Sequence, residues 1–173
     1  WSHFKLVEVA FSIDDTGARF EYQRSNAKWS LVQENLGRFQ QLQRSMSNLR
    51  LQVCSTVSVF NVFYLENLAQ WIDQQGFDFV YWNIMHEAYY FSISTMPESA
   101  KQLALQRLAE ARVSQWHQQQ FAQIQDFMTN GVSLDGSILK MKIRDLDFKR
   151  QTNLALDHSE LAQAIGYTGA QDH

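Results

Sequence analysis

The chain has 173 residues and a formal net charge of −3, with 15 Lys and Arg side chains against 18 Asp and Glu. This length is enough for one domain with a substantial core, and we expect a single domain over residues 1–173. The mild acidity argues against a nucleic-acid-binding surface, and no apolar run approaches the roughly 20 residues that span a bilayer. No signal-peptide pattern opens the sequence, so we expect a cytoplasmic protein without nucleic-acid or membrane partners.

The first half of the chain alternates between strand and helix patterns. Apolar, β-branched and aromatic residues predict strands over residues 5–13, 49–60 and 77–85. Apolar residues at helical spacing predict helices over 28–44 and 64–75, with Gly76 as the stop of the second. Such alternation favours parallel strands joined by right-handed crossovers.

The second half of the chain is predicted to be mostly helical, over residues 99–112, 115–128, 137–150 and 158–165. We therefore divide the chain into a βαβαβ portion, 1–95, and a helical carboxyl-terminal portion, 96–173. Three αβ units cannot close an eight-stranded barrel, so we expect an α/β fold with a partial (β/α) barrel, like half of a TIM barrel. The exposed sheet edge of such a half-barrel indicates a fragment of a longer chain, or self-association through that edge.

The end of the first predicted strand carries the most informative polar residues. Ser12 and Asp14 lie two apart at this strand end, so both side chains face the same side. A polar loop with Arg19 and Arg24 is predicted to follow. Because α/β folds bind ligands at the carboxyl ends of their strands, this segment is the best candidate for a binding site.

These residues resemble a known enzyme superfamily. The pattern runs Phe11-Ser12-Ile13-Asp14, then Thr16-Gly17-x-Arg19-x-Glu21-Tyr22-x-Arg24, then Lys28-Trp29 before a helix that contains Asn35-Leu36. It is similar to the middle of a radical S-adenosylmethionine enzyme of the SPASM/twitch type. The resemblance extends diffusely over most of the chain and is fairly specific only in the first 24 residues.

The resemblance implies a partial (β/α) barrel that binds S-adenosylmethionine and a [4Fe-4S] cluster. In such enzymes three cysteines of a CxxxCxxC loop hold the cluster, whereas this chain has Cys54 alone and cannot ligate it. The function expected is therefore the carboxyl-terminal part of a radical S-adenosylmethionine enzyme. It would contribute cofactor- and substrate-facing residues without the iron–sulfur ligands, and would be inactive alone.

The resemblance also implies the residues of the site. Cofactor contacts are expected from Ser12, Asp14, Arg24, Ser58 and Asn61. Substrate contacts are expected from Asn83 and His86, at the end of the third strand, and the substrate would be a small molecule or a peptide.

Two alternatives belong to other functional classes. The first is a non-catalytic α/β interaction module that binds a partner strand at its open sheet edge. The second is a small enzyme that uses Asp14, Asp15 and His86 in metal-assisted hydrolysis. No further ligand lies at a spacing typical of a metal site, so we expect no metal.

Overall fold

A single parallel sheet organises the amino-terminal half of the chain. The computed structural model describes residues 1–169. Its strands are β1 (Val7–Ser12), β2 (Leu49–Val57) and β3 (Phe79–Ile84), arranged in the order β1-β2-β3 with both pairs parallel. The predicted α/β class with parallel strands is therefore confirmed.

Eight α-helices surround or follow the sheet within residues 1–169. They are α1 (Gly17–Gln23), α2 (Trp29–Ser45), α3 (Leu65–Gln75), α4 (Glu98–Glu110), α5 (Gln115–Thr129), α6 (Ser137–Arg150), α7 (Leu154–Asp157) and α8 (Ser159–Ile165). Short 3-10 turns occupy Val62–Tyr64, Tyr89–Phe91 and Ile93–Thr95. None of the helices within the described residues is long and apolar enough to cross a membrane.

The loop predicted after the first strand was wrong, because Gly17–Gln23 forms the helix α1. Asp14, Asp15 and Gly17 are turn-forming residue types, and they indicated a loop. Phe20 and Tyr22 are nevertheless buried, at 3% exposure each. This short helix is therefore stabilised by the packing of its apolar side chains rather than by its intrinsic propensity.

One face of the sheet is covered by α2 and α3. On this face Leu49, Leu51 and Val53 of β2 are fully buried, and each contributes about 1.5–3 kcal/mol through its burial. Leu36 from α2 and Leu68 from α3 complete the two apolar clusters on this side. The residues of β2 that point to the other face are only half-buried.

The opposite face of the sheet is open. In register across the three strands, it presents Glu8, Ala10 and Ser12, then Arg50, Gln52, Cys54 and Thr56, then Phe79, Tyr81 and Asn83. Phe79 and Tyr81 are each 49% exposed. Because parallel sheets are normally covered on both faces, this open face is the unusual feature of the fold.

The helical carboxyl-terminal segment packs at the end of the sheet where the strands terminate. The largest apolar cluster joins Val57 and Val59 at the end of β2 to Phe121, Ile143 and Leu161 of the later helices. The buried carboxylate of Asp147 ties the end of the described chain to α6. It accepts hydrogen bonds from the Tyr167 hydroxyl at 2.7 Å, from the Thr152 hydroxyl at 3.0 Å and from the main-chain N–H of Leu154 at 3.0 Å. The helical segment therefore encloses the carboxyl ends of the strands.

Candidate functional site

The carboxylate of Asp14 joins the ends of β1 and β2. Its Oδ2 accepts hydrogen bonds from Nη2 of Arg24 at 2.7 Å and from Nε at 3.1 Å. Its Oδ1 accepts from the main-chain N–H of Thr56 at 2.8 Å. The two predicted residues Asp14 and Arg24 are thus brought together, and each fixes the orientation of the other.

The buried side chain of Asn61 makes hydrogen bonds to the same two strand ends. Its Nδ2 donates to the main-chain oxygens of Asp14 at 2.7 Å and Thr56 at 2.9 Å, and its Oδ1 accepts from the N–H of Ser58 at 2.9 Å. Asn61 is fully buried. Both N–H groups of its amide are therefore engaged within the chain, and direct contact of this side chain with a cofactor stays a prediction.

A cleft of about 220 Å³ lies beside these residues, at the carboxyl ends of the strands. Its lining comes from the ends of all three strands, from α1 and from α6. It consists of Asp14, Tyr22, Gln23, Thr56, Ser58, Phe60, Met85, Phe91, Leu146 and Arg150. This is the position at which α/β folds place ligands, so we take the cleft as the candidate site.

Ser58 contributes a hydroxyl to the cleft. The residue is 2% exposed, and its Oγ accepts a 3.3 Å hydrogen bond from the N–H of Phe60. A hydroxyl is both donor and acceptor, so accepting this bond is compatible with donation of the Ser58 proton to a ligand.

The Nε2 atom of Gln23, a residue that lines the cleft, is buried and has no hydrogen-bond partner within residues 1–169. The hydroxyl of Tyr22 instead faces the carboxylate of Asp147. Burial, followed by the negative charge of Asp147 and hydrogen bonding to it, raises the pKa of Tyr22, so its hydroxyl stays protonated. Buried polar groups are normally paired, and the Nε2 donor of Gln23 therefore points to a ligand that accepts hydrogen bonds.

Arg150 brings a positive charge to the cleft from the carboxyl-terminal segment. Its Nη1 donates to the main-chain oxygen of Tyr22 at 3.1 Å, across a separation of 128 residues. The sequence pattern included Tyr22 without a site role, and Arg150 was given none, because nothing local indicates that they meet. Gln23 was missed as well, since a glutamine at the end of a short helix carries no signal of its own.

The remaining predicted site residues do not line the cleft. Ser12 and Asn83 are exposed and lie on the open face of the sheet, at opposite edges. His86 is exposed, and its ring packs edge-on against Phe127 with a centroid separation of 5.0 Å. Their proposed roles in cofactor and substrate binding stay predictions.

Asp15 turns away from the cleft. Its Oδ2 accepts from Nε of Arg19 at 2.9 Å, and the Arg19 guanidinium lies 4.2 Å from the ring centroid of Tyr64. Burial raises the pKa of Asp15, although Arg19 acts in the opposite direction. Asp14 and Asp15 therefore bind different arginines, and His86 lies apart from both, which gives the metal-assisted alternative no geometric support.

The residues present do not fit an iron–sulfur cluster. Cys54 is a free thiol, half-buried on the open face of the sheet. Within residues 1–169, no group of three or more His, Cys, Asp or Glu side chains could hold a metal ion. The donors of the cleft suit an organic anion instead, because they combine a guanidinium with hydroxyl and amide groups.

Comparisons with protein-family models, with curated proteins and with solved structures find no match to this chain.

Proposed function

We propose that the chain forms one wall of the S-adenosylmethionine site of a radical S-adenosylmethionine enzyme, as its carboxyl-terminal part. The observation that carries the proposal is the cleft at the strand ends, which is lined by Arg150 and by Gln23 with its unpaired buried Nε2 donor. S-adenosylmethionine ends in an amino-acid group whose carboxylate is an acceptor for such donors. Its ribose hydroxyls and adenine also require polar contacts, which the residues at the strand ends can provide.

In this proposal the three parallel strands are part of a (β/α) barrel, and the open face of the sheet is the barrel interior. The support is the exposure of Phe79 and Tyr81 on a face that a parallel sheet normally covers. Thr56 connects the two regions, since it belongs to the open face and also lines the cleft. A ligand that fills the cleft could therefore extend over the open face toward Ser12.

The residues of this chain would bind and orient the cofactor. Gln23 and Arg150 would receive the carboxylate, while Arg24 holds the Asp14 side chain in place. Asn61 would act as a positioning residue that fixes the end of β1 against β2. S-adenosylmethionine supplies radical chemistry only when a reduced cluster is also bound, and the thiolates for that cluster would have to come from outside this sequence.

The proposal is tested by titrating the isotope-labelled chain with S-adenosylmethionine and following its amide resonances at millimolar ligand, since one wall alone binds weakly. We expect saturable shifts at Tyr22, Thr56 and Ser58. The variant Gln23→Leu should weaken binding about tenfold, because a donated hydrogen bond contributes on the order of 1–1.5 kcal/mol. Gln119→Leu, at an exposed glutamine of α5 outside the cleft, is the matched control and should bind normally.

Shifts that are absent, or that lie away from the cleft, would contradict the proposal. Equal affinity in Gln23→Leu and in the unmodified chain would show that the unpaired amide donor does not bind the ligand. S-adenosylhomocysteine serves as a second ligand, because it keeps the carboxylate but lacks the sulfonium charge. Comparable shifts at Tyr22 with both ligands are expected if the cleft recognises the carboxylate.

A further inference from the structure

The outer edge of β3 is a second unexplained feature, separate from the cleft. In the three-stranded sheet, β3 pairs with β2 on one side only. A groove of about 480 Å³ runs along its other side. The groove is lined by Asp78, by residues 79–83 of β3 and by Trp116 and Gln120 of α5.

The hydrogen-bonding pattern identifies which main-chain groups face this groove. Val7 and Ile13 donate to the oxygens of Asn48 and Cys54, so the even-numbered residues of β2 pair with β1. The odd-numbered residues of β2 then pair with β3, as the bond from the N–H of Met85 to the oxygen of Val57 shows.

The alternation of a parallel strand then leaves the N–H and C=O groups of Val80, Trp82 and Ile84 directed outward. These groups form a ladder along the floor of the groove. Only another extended backbone can pair with successive groups of such a ladder, because its own N–H and C=O groups repeat at the same spacing.

The residues that line the groove determine which types of side chain an added strand could carry. On one face its side chains would meet Trp116, which is 42% exposed, and Gln120. On the other face they would continue the row of Phe79 and Tyr81. Aromatic or β-branched residues fit both faces, as is usual for a strand inside a parallel sheet.

The charge of the groove is consistent with the binding of an apolar peptide segment. Asp78 is the charged residue among those that line it, and its Oδ1 lies 3.8 Å from Nε of Arg50. Its Oδ2 accepts from the N–H of Leu51 at 2.8 Å and from the side-chain amide of Gln43 at 2.7 Å. Asp78 is thus already engaged and does not require a cationic partner.

We propose that the outer edge of β3 binds an extended peptide segment with aromatic or β-branched side chains, which adds to the sheet as a fourth strand. The occupant follows from the unpaired main-chain ladder and from the aromatic walls beside it. The inference does not depend on S-adenosylmethionine binding, because the groove and the cleft are lined by different residues.

The experiment is selection of a phage-displayed library of random twelve-residue peptides on the intact chain, followed by fluorescence polarisation with the selected peptides. We expect peptides rich in aromatic and β-branched residues. N-methylation of alternate amides in a selected peptide should reduce its affinity at least tenfold, because main-chain donors are removed while the side chains stay. Hydrogen exchange should slow at Val80, Trp82 and Ile84 when the unmodified peptide binds.

Two pairs of variants test whether the peptide binds at the outer edge of β3. Val80→Pro removes an outward N–H of β3, and Ala10→Pro makes the matched change on the outer edge of β1, where proline is also compatible with an edge strand. Trp116→Ala removes a groove wall, and Trp1→Ala is its control at another exposed tryptophan. Only Val80→Pro and Trp116→Ala should weaken peptide binding. If Val80→Pro fails to fold, the N-methylated peptide tests the main-chain pairing instead.

Three outcomes would overturn the inference. The first is a selection that yields no saturable binder. The second is a binder whose affinity is unchanged by N-methylation and by Trp116→Ala. The third is slow hydrogen exchange at the amides of Val80, Trp82 and Ile84 without peptide, if that exchange becomes fast on dilution. This result would mean that a second copy of this chain pairs with the edge.

Discussion

The side-chain amide of Asn61 donates to the main-chain oxygen of Asp14 at 2.7 Å, so that a residue following β2 fixes the residue that follows β1. This contact joins positions 47 residues apart and aligns the strand ends that form the cleft. The geometry of the candidate site thus depends on a residue whose own side chain is buried.

Replacement of Asn61 by Ala should destabilise the fold by about 3 kcal/mol. The change leaves the N–H of Ser58 and the main-chain oxygen of Asp14 buried without their present partners, and each such loss costs about 1–3 kcal/mol. Urea denaturation measures the effect. Asn67→Ala, at an exposed asparagine of α3, is the control and should change stability by less than about 0.5 kcal/mol.

Acidification should destabilise the chain through His158. The ring is fully buried among Tyr22, Phe60 and Tyr64, and both of its nitrogens lack a hydrogen-bond partner within residues 1–169. Burial, with a smaller contribution from the charge of Arg19, lowers the pKa of His158 to about 3 from an ordinary 6.5.

Because this folded-state pKa is depressed, the stabilisation is complete above pH 6.5 and is lost as the pH falls toward 3. From pH 7 to pH 5 the loss should be about 2 kcal/mol, at about 1.4 kcal/mol per unit below pH 6.5. Denaturant unfolding across this range measures it. His158→Phe keeps an aromatic ring in the same site without a titrating group, and parallel pH profiles for the two chains would refute the assignment.

The glycines at positions 131 and 37 should respond to alanine in opposite directions. A Cβ at Gly131 would overlap the main-chain oxygen of Ser94, which also accepts a 2.9 Å hydrogen bond from Nζ of Lys101. We expect Gly131→Ala to lower the melting temperature strongly, since the backbone must shift to relieve the overlap.

The matched substitution, Gly37→Ala, lies on α2 with nothing within 4 Å of the added carbon. It should stabilise the chain by about 0.5–1 kcal/mol through helix propensity. Thermal unfolding of both variants checks the pair. An equal change in melting temperature in Gly131→Ala and Gly37→Ala would mean that residues 94 and 131 are not in close contact.

Self-association through a sheet edge remains a prediction, and the outer edge of β1 offers a direct test. The main-chain groups of Glu8, Ala10 and Ser12 alternate with those that bond to β2, so they face away from the sheet. Light scattering should show mass increasing with concentration. Ala10→Pro should reduce this increase, because it removes one outward donor without removing a bond to β2. A monomer at all concentrations would contradict the prediction.

The sequence predicted the strands and the longer helices because their signals are local. Alternating apolar residues marked β1, and Gly76 ends α3 in the left-handed conformation that glycine favours. Helix α1 was missed since its stability comes from the burial of Phe20 and Tyr22, which only the folded chain shows. Local signals therefore account for the elements and not for their packing.

The candidate site was predicted less completely, for a related reason. Asp14 and Arg24 belong to one short segment, and both were predicted as site residues, although their pairing was not predicted. The placement of Arg150 beside Tyr22 depends on how the carboxyl-terminal helices pack. No periodicity or motif encodes that packing, so most of the residues that line the cleft could not be anticipated.

The strand order has a consequence for how the chain acquires its structure. Both β2 and β3 pair with the strand just before them in the chain, so the sheet can assemble stepwise during synthesis from the amino terminus. The contact from Arg150 to Tyr22 spans 128 residues and requires the carboxyl-terminal helices to be complete. Because contacts distant in sequence form slowly, we expect the sheet to form before the cleft, so that the cleft is the last part of the fold to be completed.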